Sequence, residues 1–151
     1  MLPLMRVAVA SDMDTPLART LIEELERRGH EPIPHGALRQ GERADWAWAC
    51  ERAARDVAEG RADQGVVCCW TGTGASIAAN KVHGIRAALC GDAETARGAR
   101  VWNDANVLAL SLRTTSDALL SEILDAWLAG EPSDDPEDRA NVDHLAELDA
   151  A

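Results

Sequence analysis

Apolar residues recur along this chain in two alternating periods. Arg6–Ala10, Gly65–Cys69, Arg86–Cys90 and Val107–Ser111 are short, nearly unbroken apolar runs, the pattern of strands buried on both faces. Between them the period lengthens. Leu17, Leu21, Ile22 and Leu25 recur at helical spacing, with Thr15 as a cap, Pro16 as a first helical residue and Gly29 as a stop. The same reading predicts helices over Trp46–Glu59, from about Ser76, over Ala93–Trp102 and over Ser116–Ala129, with Gly60 and Gly130 ending the first and last of these. A short strand is expected near Pro32–Pro34, where two prolines confine it to a sheet edge.

Strand–helix alternation with continuous apolar strands predicts a parallel sheet covered on both sides. The expected fold is α/β, a single-domain Rossmann-like three-layer sandwich with five parallel strands in the order 2-1-3-4-5 and a C-terminal docking helix. Residues 1–130 form the α/β domain, and residues 131–151 form a linker and terminal helix that complete the domain or a dimer. The linker is EPSDDPE at Glu131–Glu137, and the helix is expected over Arg139–Leu148, with Val142, Leu145 and Leu148 apolar. So short a helix is not stable alone and must dock on its own domain or on a partner subunit.

Charge narrows the partners. With 26 acidic against 15 basic side chains the net charge is −11, which repels nucleic acid and anionic membrane surfaces. No apolar run approaches the roughly 18 residues of a membrane span, and MLPLMR lacks the pattern of a signal peptide. A cytoplasmic location is expected. Cys50, Cys68, Cys69 and Cys90 do not form a disulfide framework, because Cys68 and Cys69 are adjacent in a strand and point to opposite faces. Without Cys-x-x-Cys or paired histidines, no metal site is expected.

The segment QGVVCCWTGTGASIAANK at Gln64–Lys81 concentrates the chemistry. A buried strand, a glycine turn and a helix start place a polarisable thiol beside backbone N–H groups, a pairing suited to proton transfer. The turn lacks the Gly-Lys-Ser/Thr ending of a nucleotide-phosphate loop. Taken alone, Cys69 reads as a core thiol, Asp12 as a helix cap and Asn103 as a turn residue.

Four segments change that balance. VAVASD at Val7–Asp12, CWTGTGASIAANK at Cys69–Lys81, GIRAALC at Gly84–Cys90 and NDANVLAL at Asn103–Leu110 resemble, in order and spacing, ribose-5-phosphate isomerase B and the related galactose-6-phosphate isomerase subunits. The resemblance runs from Arg6 to about Ala129. It implies an aldose–ketose isomerase that needs no metal or cofactor and moves a proton between adjacent carbons through an enediolate. Cys69 matches the general base and Thr71 an assisting hydroxyl. The backbone of Gly72, Thr73, Gly74 and Ala75 matches the anion hole, and Asp12 and Asn103 match residues that bind substrate oxygens. Some members place a carboxylate base where Ala75 stands, which leaves Cys69 as the candidate here. The resemblance also implies a homodimer, or a tetramer of dimers, in which C-terminal segments help complete the sites.

The departures from that pattern bear on the substrate. Met13 stands for a histidine after the first strand, and Trp102 for the histidine credited with ring opening; an indole offers an N–H but exchanges no proton near neutral pH. Trp70 replaces a glycine, and Asp45-Trp46-Ala47-Trp48 replaces Asp-Tyr-Pro-Asp. Registered on Val142, Glu137 and Asn141 fall where two arginines are usual, while Arg113 remains after the fifth strand. The expected substrate is therefore an acyclic keto sugar or keto sugar acid, such as a deoxy-ketouronate or a tetrulose phosphate. Ribose 5-phosphate is the alternative substrate, and a non-catalytic sugar or anion binder is the rival function.

Overall fold

In the computed structural model, which describes residues 3–151, the apolar runs become five parallel strands. They are β1 (Arg6–Ser11), β2 (Glu31–Gly36), β3 (Gln64–Cys69), β4 (Ala87–Leu89) and β5 (Val107–Ser111). Six helices accompany them: α1 (Pro16–Arg27), α2 (Trp46–Ala58), α3 (Thr73–Asn80), α4 (Ala93–Asn103), α5 (Asp117–Ala129) and α6 (Pro136–Ala150). The expected α/β architecture is present, and β2 with its prolines lies at an edge.

The strand order is β2-β1-β3-β5-β4, not 2-1-3-4-5. Every residue of β5 is buried, and so apolar a strand needs neighbours on both sides; it pairs with β3 through Gly65↔Val107 to Cys69↔Ser111. β4 has only three residues and ends on the exposed Leu89, features suited to an edge.

The two faces of the sheet differ in bulk. On one, Val7, Val9, Val66, Leu108 and Leu110 meet Leu21, Leu25, Leu120, Leu124 and Trp127 beneath α1, α4 and α5. On the other, Ala8, Ala10, Val67 and Ala109 meet Ala49, Ala53, Ala54, Ala75 and Ala79 of α2 and α3. Cys68 belongs to the first face and Cys69 to the second, as the period of a strand requires.

Helix starts follow the sequence signals. Thr15 caps Ala18 N–H at 3.2 Å, Asp92 caps Thr95 at 2.7 Å and Ser116 caps Leu119 at 3.1 Å. Two ends differ from expectation. α3 begins at Thr73 rather than near Ser76, because Gly72 turns the chain in a left-handed conformation and its carbonyl already accepts the first helical bond from Ser76 at 3.0 Å. α6 begins at Pro136, with Asp135 capping Glu137 at 2.9 Å, so the linker is shorter than the sequence suggested. Val142 is the buried residue of α6, while Leu145 and Leu148 remain 43% and 57% exposed. Among the described residues no helix is long and apolar enough to cross a membrane.

Trp127 is buried against the larger-residue face and its indole N–H donates to Gln64 Oε1 at 2.9 Å. Trp127→Ala is expected to cost about 3–5 kcal/mol in urea unfolding, whereas Leu148→Ala on the exposed side of α6 should change stability by no more than about 0.5 kcal/mol. Equal losses in the two variants would contradict this placement of the core.

Candidate active site

The carboxyl ends of β1 and β3 open beside the start of α3. After β1, the Ser11 hydroxyl accepts from Met13 N–H at 3.2 Å and donates to Met13 carbonyl at 2.6 Å, a tight turn that leaves Asp12 at the strand end. Asp12 Oδ1 is buried and has no hydrogen-bond partner among the described residues. Burial raises the Asp12 pKa above the ordinary carboxylate value, and a backbone hydrogen bond opposes the shift only in part.

After β3, the strand pairing continues beyond Cys69. Leu112 N–H donates to Cys69 carbonyl at 3.0 Å, Arg113 N–H to Trp70 carbonyl at 2.9 Å, and the Ser111 hydroxyl to the same Trp70 carbonyl at 3.1 Å. Gly72 then takes φ +79°, where an added Cβ would lie 2.5 Å from Leu89 Cδ1 and 2.9 Å from the Leu110 backbone. Only glycine fits this turn. It leaves Thr73, Gly74 and Ala75 in the first turn of α3, whose N–H groups have no intrahelical partner.

A pocket of about 280 Å³ lies between these strand ends, lined by Asp12, Trp46, Cys69, Trp70, Thr71, Thr73 and Gly74. Cys69 is only 6% exposed and lines this pocket. The hydroxyls of Thr71 and Thr73 lie 2.8 Å apart. The Trp46 indole lies flat on Gly74, so close that a Cβ there would stand 3.0 Å from its ring. The other cysteines are ordinary interior thiols: burial pushes Cys50 up to about 12 and Cys90 up to about 11, and burial raises Cys68 as well. Among the described residues no cluster of three or more His, Cys, Asp or Glu side chains is arranged to hold a metal ion.

One chain thus gathers Asp12, Cys69, Thr71, Thr73 and Gly74, with Gly72 and Ala75 framing the helix start. Arg113 lies next door, in a depression of about 330 Å³ whose wall shares Thr71 with the pocket. Trp102 and Asn103 are elsewhere. α4 leaves the carboxyl end of edge strand β4 and returns antiparallel, so the segment before β5 lies at the amino end of the sheet. Asn103, expected from the resemblance to bind substrate oxygens, therefore does not reach the Cys69 pocket within its own chain. Trp102 packs on Gly98 with the Arg97 guanidinium 5.2 Å from its ring, and Asn103 lines a groove with Arg86 and Leu145. Arg139 lies 3.4 Å from Asp104 rather than free at the α6 surface.

Trp46 was not among the site residues expected from sequence. The signal was its position, first in a helix behind Asp45, which places it at the same sheet end as Cys69.

The sequence profile described as Ribose/Galactose Isomerase matches residues 7–145. The chain belongs to the ribose/galactose isomerase family. It is 40% identical over 115 residues to ribose-5-phosphate isomerase B of Escherichia coli, covering 76% of each protein. It is 33% identical to D-erythrulose-4-phosphate isomerase of Pectobacterium atrosepticum, covering 85% of each. The type B ribose 5-phosphate isomerase structure of Trypanosoma brucei superposes with a TM-score of 0.89 at 37% identity, covering 97% of this chain and 99% of that one. Like other members of the ribose/galactose isomerase family, this chain is an intramolecular oxidoreductase that interconverts aldose and ketose sugars. The rival reading as a non-catalytic binder is set aside.

The raised Asp12 pKa fixes a sign. The folded chain disfavours the carboxylate, so the contribution of Asp12 to stability is fully present below the unfolded-state pKa and is lost as pH rises through the folded one. Asp12→Asn should therefore raise Tm at neutral pH, by about 2 °C given solvent screening of the half-buried side chain, and leave it unchanged near pH 3. A lower Tm at neutral pH would show that the charge is compensated.

Proposed function

We propose that this isomerase acts on an open-chain keto sugar or keto sugar acid, with Cys69 as the base. The Cys69 thiolate removes the proton from the carbon next to the carbonyl. The released electron pair forms the enediolate double bond, and the negative charge moves to the former carbonyl oxygen. The thiol then returns the proton to the adjacent carbon. First-turn N–H groups of Thr73, Gly74 and Ala75 stabilise the oxyanion, each worth about 3–4 kcal/mol by the usual cost of losing such a donor. The Thr71 hydroxyl relays the proton between substrate oxygens, and Asp12 binds a substrate hydroxyl. Supporting the assignment above all is that Cys69 alone of the four cysteines lines a pocket that also contains a free helix start.

Substrate class follows from what flanks the pocket. Trp102 cannot act as a ring-opening acid–base, which favours a sugar that is already open. Glu137 and Asn141 lie on the exposed side of α6 and add no positive charge. Arg113 is in no ion pair among the described residues, and one guanidinium suits a carboxylate monoanion better than a phosphate dianion. A deoxy-ketouronate satisfies both conditions and a tetrulose phosphate the first; the Pectobacterium relative, named for erythrulose 4-phosphate, supports the latter. Ribose 5-phosphate, named in the Escherichia coli relative, is the alternative.

A second copy of the chain completes the site. Asn103 stands at the far end of its own sheet and reaches a Cys69 pocket only if another protomer presents it. Exposed Leu145 and Leu148 on α6 supply apolar surface for such a contact. We place this homodimer, or a tetramer of dimers, in the cytoplasm.

Deuterium oxide provides the test of the base. Incubated with candidate sugars, the chain should exchange the substrate C–H proton, faster for the keto sugar acid than for ribose 5-phosphate. Cys69→Ala should lower exchange by at least about 10³-fold, and Cys68→Ala should keep it. Exchange by Cys69→Ala at the native rate would remove the thiol from the mechanism, and efficient ribose 5-phosphate turnover would overturn the substrate assignment. For the shared site, inactive Cys69→Ala and Asn103→Ala proteins are mixed and allowed to exchange subunits. Hybrid dimers hold one intact site, so about a quarter of native activity should return. No recovery between variants shown to have exchanged would sink the shared site.

A further inference from the structure

Behind the pocket lies a buried charged triad that the isomerase chemistry does not use. His35, near the end of β2, is 7% exposed and sits between two carboxylates. Its Nδ1 is 3.1 Å from Glu42 Oε2 and 3.2 Å from Oε1, and its Nε2 is 2.6 Å from Asp56 Oδ2. Glu42 comes from the loop between β2 and α2, and Asp56 from α2 itself. Burial opposes ionisation of both, yet Gly36 N–H and His35 at Glu42, and Arg61 and His35 at Asp56, hold both pKa values below the ordinary range. His35 thus joins the two carboxylates through its two ring nitrogens.

The surrounding charges close the set. Glu42 also accepts Gly36 N–H at 2.9 Å and lies 3.5 Å from Arg39 and 3.8 Å from Arg52. Asp56 Oδ1 accepts from Arg61 Nε at 2.8 Å.

The triad adjoins the loop that leads into the pocket wall. The loop crosses the end of β1, where Ala37 N–H donates to Ser11 carbonyl at 2.9 Å, one residue before Asp12. Gly36 has φ +68° and lies so close that a Cβ would be 2.5 Å from both Ser11 O and Ala49 Cβ. The same loop delivers Asp45 and Trp46. Asp45 makes no side-chain capping bond, so the first turn of α2 lacks the usual local anchor. Glu42 lies four residues before Trp46 and Asp56 ten residues after it, and His35 ties the two together.

We propose that His35 is a positioning residue of the Cys69 pocket: its two ring nitrogens clip the β2–α2 loop at Glu42 to α2 at Asp56, and this clip sets the face that Trp46 presents to substrate over Gly74. The inference rests on the reading of that pocket as the substrate site. Because Trp46 forms a wall and not the reacting group, loss of the clip weakens binding more than it slows proton transfer.

The test is His35→Gln, which places an amide oxygen against a carboxylate, compared with His35→Lys, whose ammonium can donate to both Glu42 and Asp56. In protein labelled with 5-fluorotryptophan, the Trp46 fluorine signal is assigned by its loss in Trp46→Phe. His35→Gln should shift that signal and raise KM about tenfold with kcat within about threefold, and His35→Lys should restore much of both. If His35→Gln does not fold, Glu42→Gln keeps an acceptor for Gly36 N–H while removing the ion pair, and should give the same shift. A fall in Tm with KM and the Trp46 signal unchanged would reduce His35 to a stabilising contact and overturn the proposal. Should no sugar be turned over, the fluorine signal still decides the question about His35, and the failure lies with the assigned function.

Discussion

Close approach between the sheet and the α2–α3 layer is the constraint on which the rest of the molecule depends. One face of the sheet meets Leu, Ile, Val and Trp, while the other meets helices almost wholly through alanine. Small side chains let α2 and α3 lie near the strands, so the first turn of α3 ends beside Cys69 and Trp46 reaches Gly74. An extra methylene in so tight a layer typically costs about 1–3 kcal/mol, and here the displacement would be transmitted to the pocket. Alanine content on this face is thus a functional requirement as much as a packing one.

The same closeness sorts the four thiols. Cys50, Cys68 and Cys90 are enclosed, and burial favours their neutral forms. Cys69 shares their interior position but stands at a strand end with one opening. Asp12, which lines the same pocket, carries a buried oxygen with no hydrogen-bond partner among the described residues, a cost that the proposed bond to a substrate hydroxyl would relieve. Among the described residues nearly every arginine is in an ion pair, so the basic charge is already spent on partners and the surplus of carboxylates makes up the net charge of −11. Arg113 is an exception, and it adjoins the pocket.

Much of this was legible in the chain because strand and helix periods alternate cleanly and glycines or capping residues mark the breaks. β5 was found at its observed bounds, and β2 at an edge, because Pro32 and Pro34 have no N–H to give an inner ladder. What escaped was information held between elements. Strand order turned on how short and exposed β4 is, which the run Arg86–Cys90 conceals. The start of α3 turned on the left-handed Gly72, since Thr73-Gly74 has weak helix propensity and reads as loop. His35, Glu42 and Asp56 are 7 to 21 residues apart, at no spacing that period or motif would couple.

Asn103 shows how topology overrules a motif. Its segment is contiguous with β5, and adjacency in sequence suggested adjacency to the pocket. In a parallel sheet, however, the residues before a strand lie at the amino end, about a strand's length of 3.3 Å per residue from the residues after it. A side chain cannot bridge that distance. Any role for Asn103 in chemistry at Cys69 therefore requires a second protomer, and in the proposed homodimer Trp102 would face the neighbouring protomer's substrate rather than its own. In that proposed dimer substrate choice would depend on two surfaces from different protomers: the tryptophan-lined wall over Gly74 and the end of α4.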